Sequence, residues 1–348
     1  MNESEVDVRA HAIARSAFAD GATAGVGSVP HLDPVAAAGF AINEFDIATI
    51  PTMPQRSRAE LMLGQALVDV PGISLGADGG IVVDSAFVDP YAAIATDIDN
   101  GAFDGFRAFI DMANEVRLDG AAVKWQFVGP VTLGVALHRA GIERATAFDL
   151  ALSVVRARLS SLSSLVTAAM PNSRQMVVLD EPWFAELMQP GFPLPPDEAI
   201  DRMSSAMAAL PANTLTGVHC CAPCDVATLL AVGPNVVSLP VSSELVDWVG
   251  YLSRFLAEGG IIAWGVIPTD GPVPVTSERQ WRALSDLWCS LVQLGCDPVL
   301  LRRQSIVTPQ CGLATHSVLV AQRIADLTAD VGKRVQDQSS ATRFALGA

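Results

Sequence analysis

The chain is poor in positive charge. Lys and Arg number 22 against 37 Asp and Glu in 348 residues, for a net charge of −15. No basic cluster stands out, and this excludes nucleic acid and anionic membrane as partners, because both are bound through clustered Lys and Arg. Long apolar runs are missing too. Mean hydropathy is positive, yet no stretch approaches the roughly 20 uninterrupted apolar residues of a spanning helix. Residues 1–20 mix Glu3, Glu5, Asp7, Arg9 and Arg15 with alanine and carry no secretory signal. Cysteine is scarce. Of six, three crowd into 220–224, which is not the spacing of a disulfide framework and points to a reducing, cytoplasmic setting. There is no internal repeat and no linker. Half the residues are hydrophobic and 17% are charged, a balance that supports a large core and excludes wholesale disorder.

What is present alternates. Short apolar segments fall at 23–30, 45–50, 122–127, 175–179, 214–220, 236–239, 261–266 and 305–308. Between them run helical patterns, starting from Asp33 and Pro130 and spanning 57–68, 91–116, 143–170, 197–210, 224–232, 243–258, 277–296 and 312–333. Eight strands separated by helices predict an α/β fold, a single-domain (β/α)8 TIM barrel over 21–348. An N-terminal arm, 1–20, precedes it. A small β-hairpin insertion is expected at 73–86, where Gly76-Ala77-Asp78-Gly79-Gly80 separates two apolar runs. Active sites of such barrels lie at the C-terminal strand ends, and Ser28, Asp180, His219, Cys221 and Cys311 all fall there.

The richest stretch is Gly217-Val218-His219-Cys220-Cys221-Ala222-Pro223-Cys224, with Pro309-Gln310-Cys311-Gly312 as its distant partner. Thiolate and neutral imidazole are the ligands zinc prefers, and three protein ligands with one position left to substrate mark a catalytic zinc. His219 and Cys221 are two apart on a strand and point the same way. Cys220 points to the opposite face and reads as packing. Cys224, in a Cys-x-x-Cys spacing with Cys221, stays open as a ligand. Cys289 and Cys296, seven apart in a helical pattern, read as small core hydrophobes. Asp180 and Glu181, where a strand runs out, read as substrate-facing. The turn Gly27-Ser28 offers backbone amides to an anionic group. His11, His31, His138 and His316 read as structural.

Taken together, Gly25-Val26-Gly27-Ser28-Val29-Pro30, Gly129-Pro130-Val131-Thr132-Leu133, Leu179-Asp180-Glu181-Pro182, His219-x-Cys221 and Pro309-Gln310-Cys311-Gly312-Leu313 resemble the C-terminal, catalytic half of the cobalamin-independent methionine synthase family over roughly 20–335. The resemblance implies a barrel that transfers a methyl group to the thiolate of homocysteine on zinc. His219, Cys221 and Cys311 would be the zinc ligands. Asp180 would accept from the substrate amino group, and the Ser28 turn would hold its carboxylate. The family's glutamate ligand falls on Pro240, which leaves Glu244, Cys220, Cys224 or water as the fourth ligand. The family's Glu-x-Glu-Arg becomes Met53-Pro54-Gln55-Arg56. The partners implied are a small thiol and a methyl donor of folate or corrinoid type. The alternatives are another acceptor thiol (coenzyme M-like), a porphyrinogen decarboxylase-like barrel gripping carboxylates with Arg56 and Arg58, or a non-catalytic barrel.

Overall fold

A computed structural model describes residues 18–76 and 78–345, with side chains to 338. The arm expected over 1–20 therefore lies almost wholly outside the described residues. Among the described residues nine strands form: β1 (Ala48–Thr49), β2 (Ile73–Leu75), β3 (Ile81–Val83), β4 (Ala122–Val128), β5 (Arg174–Asp180), β6 (Leu215–His219), β7 (Val236–Pro240), β8 (Ile261–Ile267) and β9 (Ser305–Pro309). The pair β2–β3 is the antiparallel hairpin. The other seven make one parallel sheet in the order β1-β4-β5-β6-β7-β8-β9. β8 is a continuous apolar run and β5 and β7 are largely so, as suits strands covered on both faces. The convex face packs under the helices, with Trp125, Trp264, Phe106 and Phe148 in that layer. The concave face holds smaller side chains, among them Ala22, Ala24, Val178, Val236 and Ala263.

The expected closed eight-stranded barrel does not form. The sheet is an open half-barrel of seven strands whose two edges stand 11 Å apart, about twice the ~4.8 Å spacing of paired strands. The segment expected as the first strand lies in this seam but never becomes a regular strand. It touches the edges through isolated bridges, Thr23 with Val307 and Ala24 with Ile47. Its own chemistry explains the failure. Thr23 gives both its backbone N–H and its hydroxyl to the Asp46 carboxylate at 2.9 Å. Gly27, at φ 146°, then turns the chain out of the pleat.

The helix expected over 91–116 shrinks to Asp104–Glu115. Ahead of it, the Asp89 and Asp97 side chains accept from Tyr91 N and Asp99 N, local bonds that compete with a helical backbone. Among the described residues no helix is long and apolar enough to cross a membrane.

Candidate metal centre

Parallel pairing in register brings the strand ends level. Val128 is paired with Asp180, Asp180 with His219, and His219 with Ser238. The side chains at these ends therefore converge at one mouth of the half-barrel, around a cavity of about 560 Å³ lined by Ser28, Asp180, His219, Cys221 and Cys311 among others. Its remaining wall is largely apolar, with Val26, Leu61, Met62, Phe127 and Pro182.

The ligand atoms of His219, Cys221 and Cys311 all lie within 4.8 Å of one another. His219 is buried, and its Nδ1 meets Ser238 Oγ at 2.9 Å. Its Nε2 is buried without any partner. A hydrogen bond at one ring nitrogen that leaves the other aimed at two sulfurs is how a metal-ligating imidazole is held. Cys311 donates to Cys221, so Cys221 is pulled well below the ordinary thiol range, with His219 adding to the effect. The same bond, together with burial, pushes Cys311 up. The pair thus shares a proton that a bound divalent cation would expel. A His/Cys/Cys donor set with a buried, unpartnered imidazole nitrogen suits a zinc-type ion.

The other sequence candidates divide. Asp180 lines the cavity, and its Oδ1 is buried without a partner. Burial pushes its carboxyl up to about 6, against the pull of His219 and Lys124. Ser28 lies against the loop after β9. A Cβ on Gly312 would meet Ser28 Oγ at 2.0 Å, and Leu313 N donates to Ser28 O at 2.8 Å. Glu181 is fully buried but outside the cavity lining. Its carboxylate accepts from Val131 N at 2.9 Å and Thr132 N at 2.7 Å, capping the helix Pro130–Arg139.

Glu244 is exposed in the 3-10 turn Ser243–Trp248 and does not join the cluster. Cys220 is a buried core residue whose Sγ donates to Ala222 O at 3.4 Å. It also accepts from Cys224, and that bond pushes the Cys224 thiol up. These two thiols form a pair apart from the cluster. Cys289, expected in the core, is exposed, whereas Cys296 is buried. Arg56 is bound to Asp104 at 2.9 Å and to Leu32 O at 2.9 Å.

Two residues that line the cavity, Gln55 and Gln126, and Lys124 beneath them carried no functional reading in the sequence. Gln55 Nε2 donates to the carbonyls of Ala314 and His316, tying the loop after β1 to the loop after β9. Lys124 and Gln126 stand two apart on β4 and share its concave face. The Lys124 Nζ donates to Val26 O at 2.6 Å and to Gln126 Oε1 at 3.2 Å. Burial lowers the Lys124 ammonium to about 8, with Asp180 opposing. The chain has only two lysines. One of them in the middle of an apolar strand was the signal that could have found this pair.

No family model matches the chain, and no curated protein does. Solved structures do. A Listeria monocytogenes protein provisionally assigned as a vitamin-B12 independent methionine synthase superposes with a TM-score of 0.54 at 13% identity, over 90% of this chain and 96% of that one. That likeness is one of fold. Bee venom hyaluronidase, solved with a hyaluronic acid tetramer, gives a TM-score of 0.39 at 10% identity over 90% and 98%, too low to carry an argument.

Proposed function

We propose that this chain transfers a methyl or other alkyl group to the sulfur of a small thiol of the homocysteine type, using zinc held by His219, Cys221 and Cys311. The observation that carries this reading is the convergence of those ligand atoms within 4.8 Å at the wall of a cavity large enough for a small substrate. Bound zinc would keep the acceptor thiol deprotonated at neutral pH, where a free thiol with a pKa near 8.5 is mostly protonated. In the transfer, a sulfur–carbon bond forms as the bond between that carbon and its donor breaks, and the donor leaves with the electron pair. The donor is of folate or corrinoid type.

The protein's own groups orient the acceptor and exclude water. Asp180 Oδ1, buried and without a partner, accepts from a donor on the acceptor molecule, such as its ammonium. The apolar wall sheds water from the nucleophile. Thiols kept free for ligation fit a reducing, cytoplasmic compartment.

A second acceptor, a thiol without an amino group, is favoured by one observation. Asp180 is the one carboxylate among the described residues that line the cavity, and Gln55 is engaged with backbone carbonyls. The decarboxylase-like reading loses its support, since the described lining holds no Arg or Lys and Arg56 is engaged by Asp104.

The test is elemental analysis joined to an alkylation assay. The purified chain should hold about one zinc, and Cys221→Ser or Cys311→Ser should remove it, while Cys289→Ser retains it. Incubation of the zinc-loaded chain with homocysteine and either methylcobalamin or methyltetrahydrofolate should yield methionine. Full zinc occupancy in Cys311→Ala would overturn the site, and a loaded enzyme inert toward every thiol and donor would overturn the activity.

A further inference from the structure

The cavity wall contains an amide whose orientation is dictated from below. Gln126 is buried and lines the cavity. Its Oε1 takes the Lys124 ammonium at 3.2 Å. A lysine ammonium can only donate, so it fixes which end of the Gln126 amide faces it and leaves the NH2 group as the other end. That NH2 lies against Gly27. A Cβ there would come within 1.7 Å of Gln126 Nε2, so a glycine at this turn is what lets the amide sit beside Ser28. Among the described residues no acceptor takes the Nε2 hydrogens. Lys124 is itself held by Val26 O at 2.6 Å, so the device is anchored to the same segment that carries Gly27 and Ser28.

We infer that Gln126 is a specificity-determining donor that reads an oxygen acceptor on the substrate, a carboxylate in the thiol class proposed above, and that Lys124 is the positioning residue that aims it. The inference rests on the thiol-acceptor reading and adds to it the group that recognises the acid end. Asp180 and Gln126 then offer opposite polarities, an acceptor and a donor, to the same cavity.

The test uses the full-length chain loaded with cobalt in place of zinc, whose thiolate-to-metal absorption reports thiol binding without turnover. The probes are 4-mercaptobutyrate, which carries a carboxylate, and 1-propanethiol, which does not. The wild type should bind 4-mercaptobutyrate more tightly. Gln126→Met and Gln126→Glu should each weaken that thiol by roughly tenfold or more, the scale of a lost hydrogen bond to a charged group, and leave 1-propanethiol unchanged. Lys124→Met, which replaces a buried charge by an apolar side chain of similar length, should weaken 4-mercaptobutyrate several-fold in the wild type. It should do nothing further in the Gln126→Met background, since a residue that acts through another adds nothing once that one is gone.

Equal losses for both thiols, or an undiminished preference for 4-mercaptobutyrate in Gln126→Met, would overturn the inference alone. Lys124→Met acting equally in both backgrounds would remove its positioning role. If 1-propanethiol leaves the wild-type spectrum unaltered, the thiol-acceptor reading falls, and this inference with it.

Discussion

At the scale of single residues, the metal centre depends on a contact that no ligand makes. Ser238 Oγ holds His219 Nδ1 at 2.9 Å, which commits Nε2 to the side of Cys221 and Cys311. Losing such an orienting partner costs roughly 10–100-fold in metal affinity. Ser238→Ala should therefore fold and still bind zinc, but yield it to a competing chelator at about tenfold lower chelator concentration. Unchanged competition would mean that packing alone orients the imidazole. The convergence of His219 and Cys221 was legible because they follow the two-residue alternation of a strand, which can be read without coordinates. Glu181 was not, for the same reason: one step along a strand from Asp180 reverses the face, and its carboxylate goes to a helix instead of the cavity. Cys289 escaped because the buried stripe of its helix is Leu284, Leu287, Trp288 and Leu291, and the residue after Trp288 lies about 100° round the axis.

Elements are joined at this site by buried carboxylates. Glu181 ties the end of β5 to the start of the helix Pro130–Arg139 through two backbone N–H groups. Glu181→Gln would face one of those donors with an NH2 group, at a cost of about 1–3 kcal/mol. The variant should melt at lower temperature yet keep its zinc; loss of thiol affinity with unchanged melting would restore the substrate-facing role. Glu60 makes a similar clasp, accepting from Met53 N at 3.0 Å and Gly105 N at 2.8 Å. Burial raises its carboxyl from 4.5 to about 7, with those two bonds opposing.

A raised carboxyl holds its proton in the folded chain where the unfolded chain has released it. Its contribution is complete below pH ~4.5 and lost as pH rises through about 7. Relative to Glu60→Gln, the wild type should thus lose up to about 3 kcal/mol between pH 5 and pH 8 in urea titrations. A constant difference would show that the carboxyl stays ionised throughout. Apolar alternation made these elements readable, but the glycines and Asx turns at 25–27 and 89–100 limited it. A run of suitable residues predicts a strand or helix only where no side chain offers the backbone a competing partner.

The molecule as a whole is an open sheet whose seam lies beside its chemistry. Cys311 follows β9, one edge of the gap, whereas His219 ends β6 and Cys221 follows it, near the middle of the sheet. A bound ion would therefore cross-link strand ends that the sheet itself separates by β7 and β8. Periodicity could not reveal the seam, because closing a sheet depends on regular pairing at its last edge, and there Thr23 and Gly27 depart from the pleat.

An ion that binds the folded chain and not the unfolded one stabilises it by mass action, so zinc-loaded protein should melt above chelator-treated protein. The size of that gap should depend on pH. The metal-free centre retains a proton on the Cys221–Cys311 pair, with Cys311 pushed up by its bond to Cys221, and binding must release it. Affinity then rises with pH, and the melting difference between the two forms should be larger at pH 8 than at pH 6. Thermal melts at fixed free zinc measure this directly, with Cys311→Ser as a control in which the two forms melt together. A gap that persists undiminished in Cys311→Ser would place the stabilising ion elsewhere. One that is flat with pH would mean that the sulfurs are already proton-free before the metal arrives.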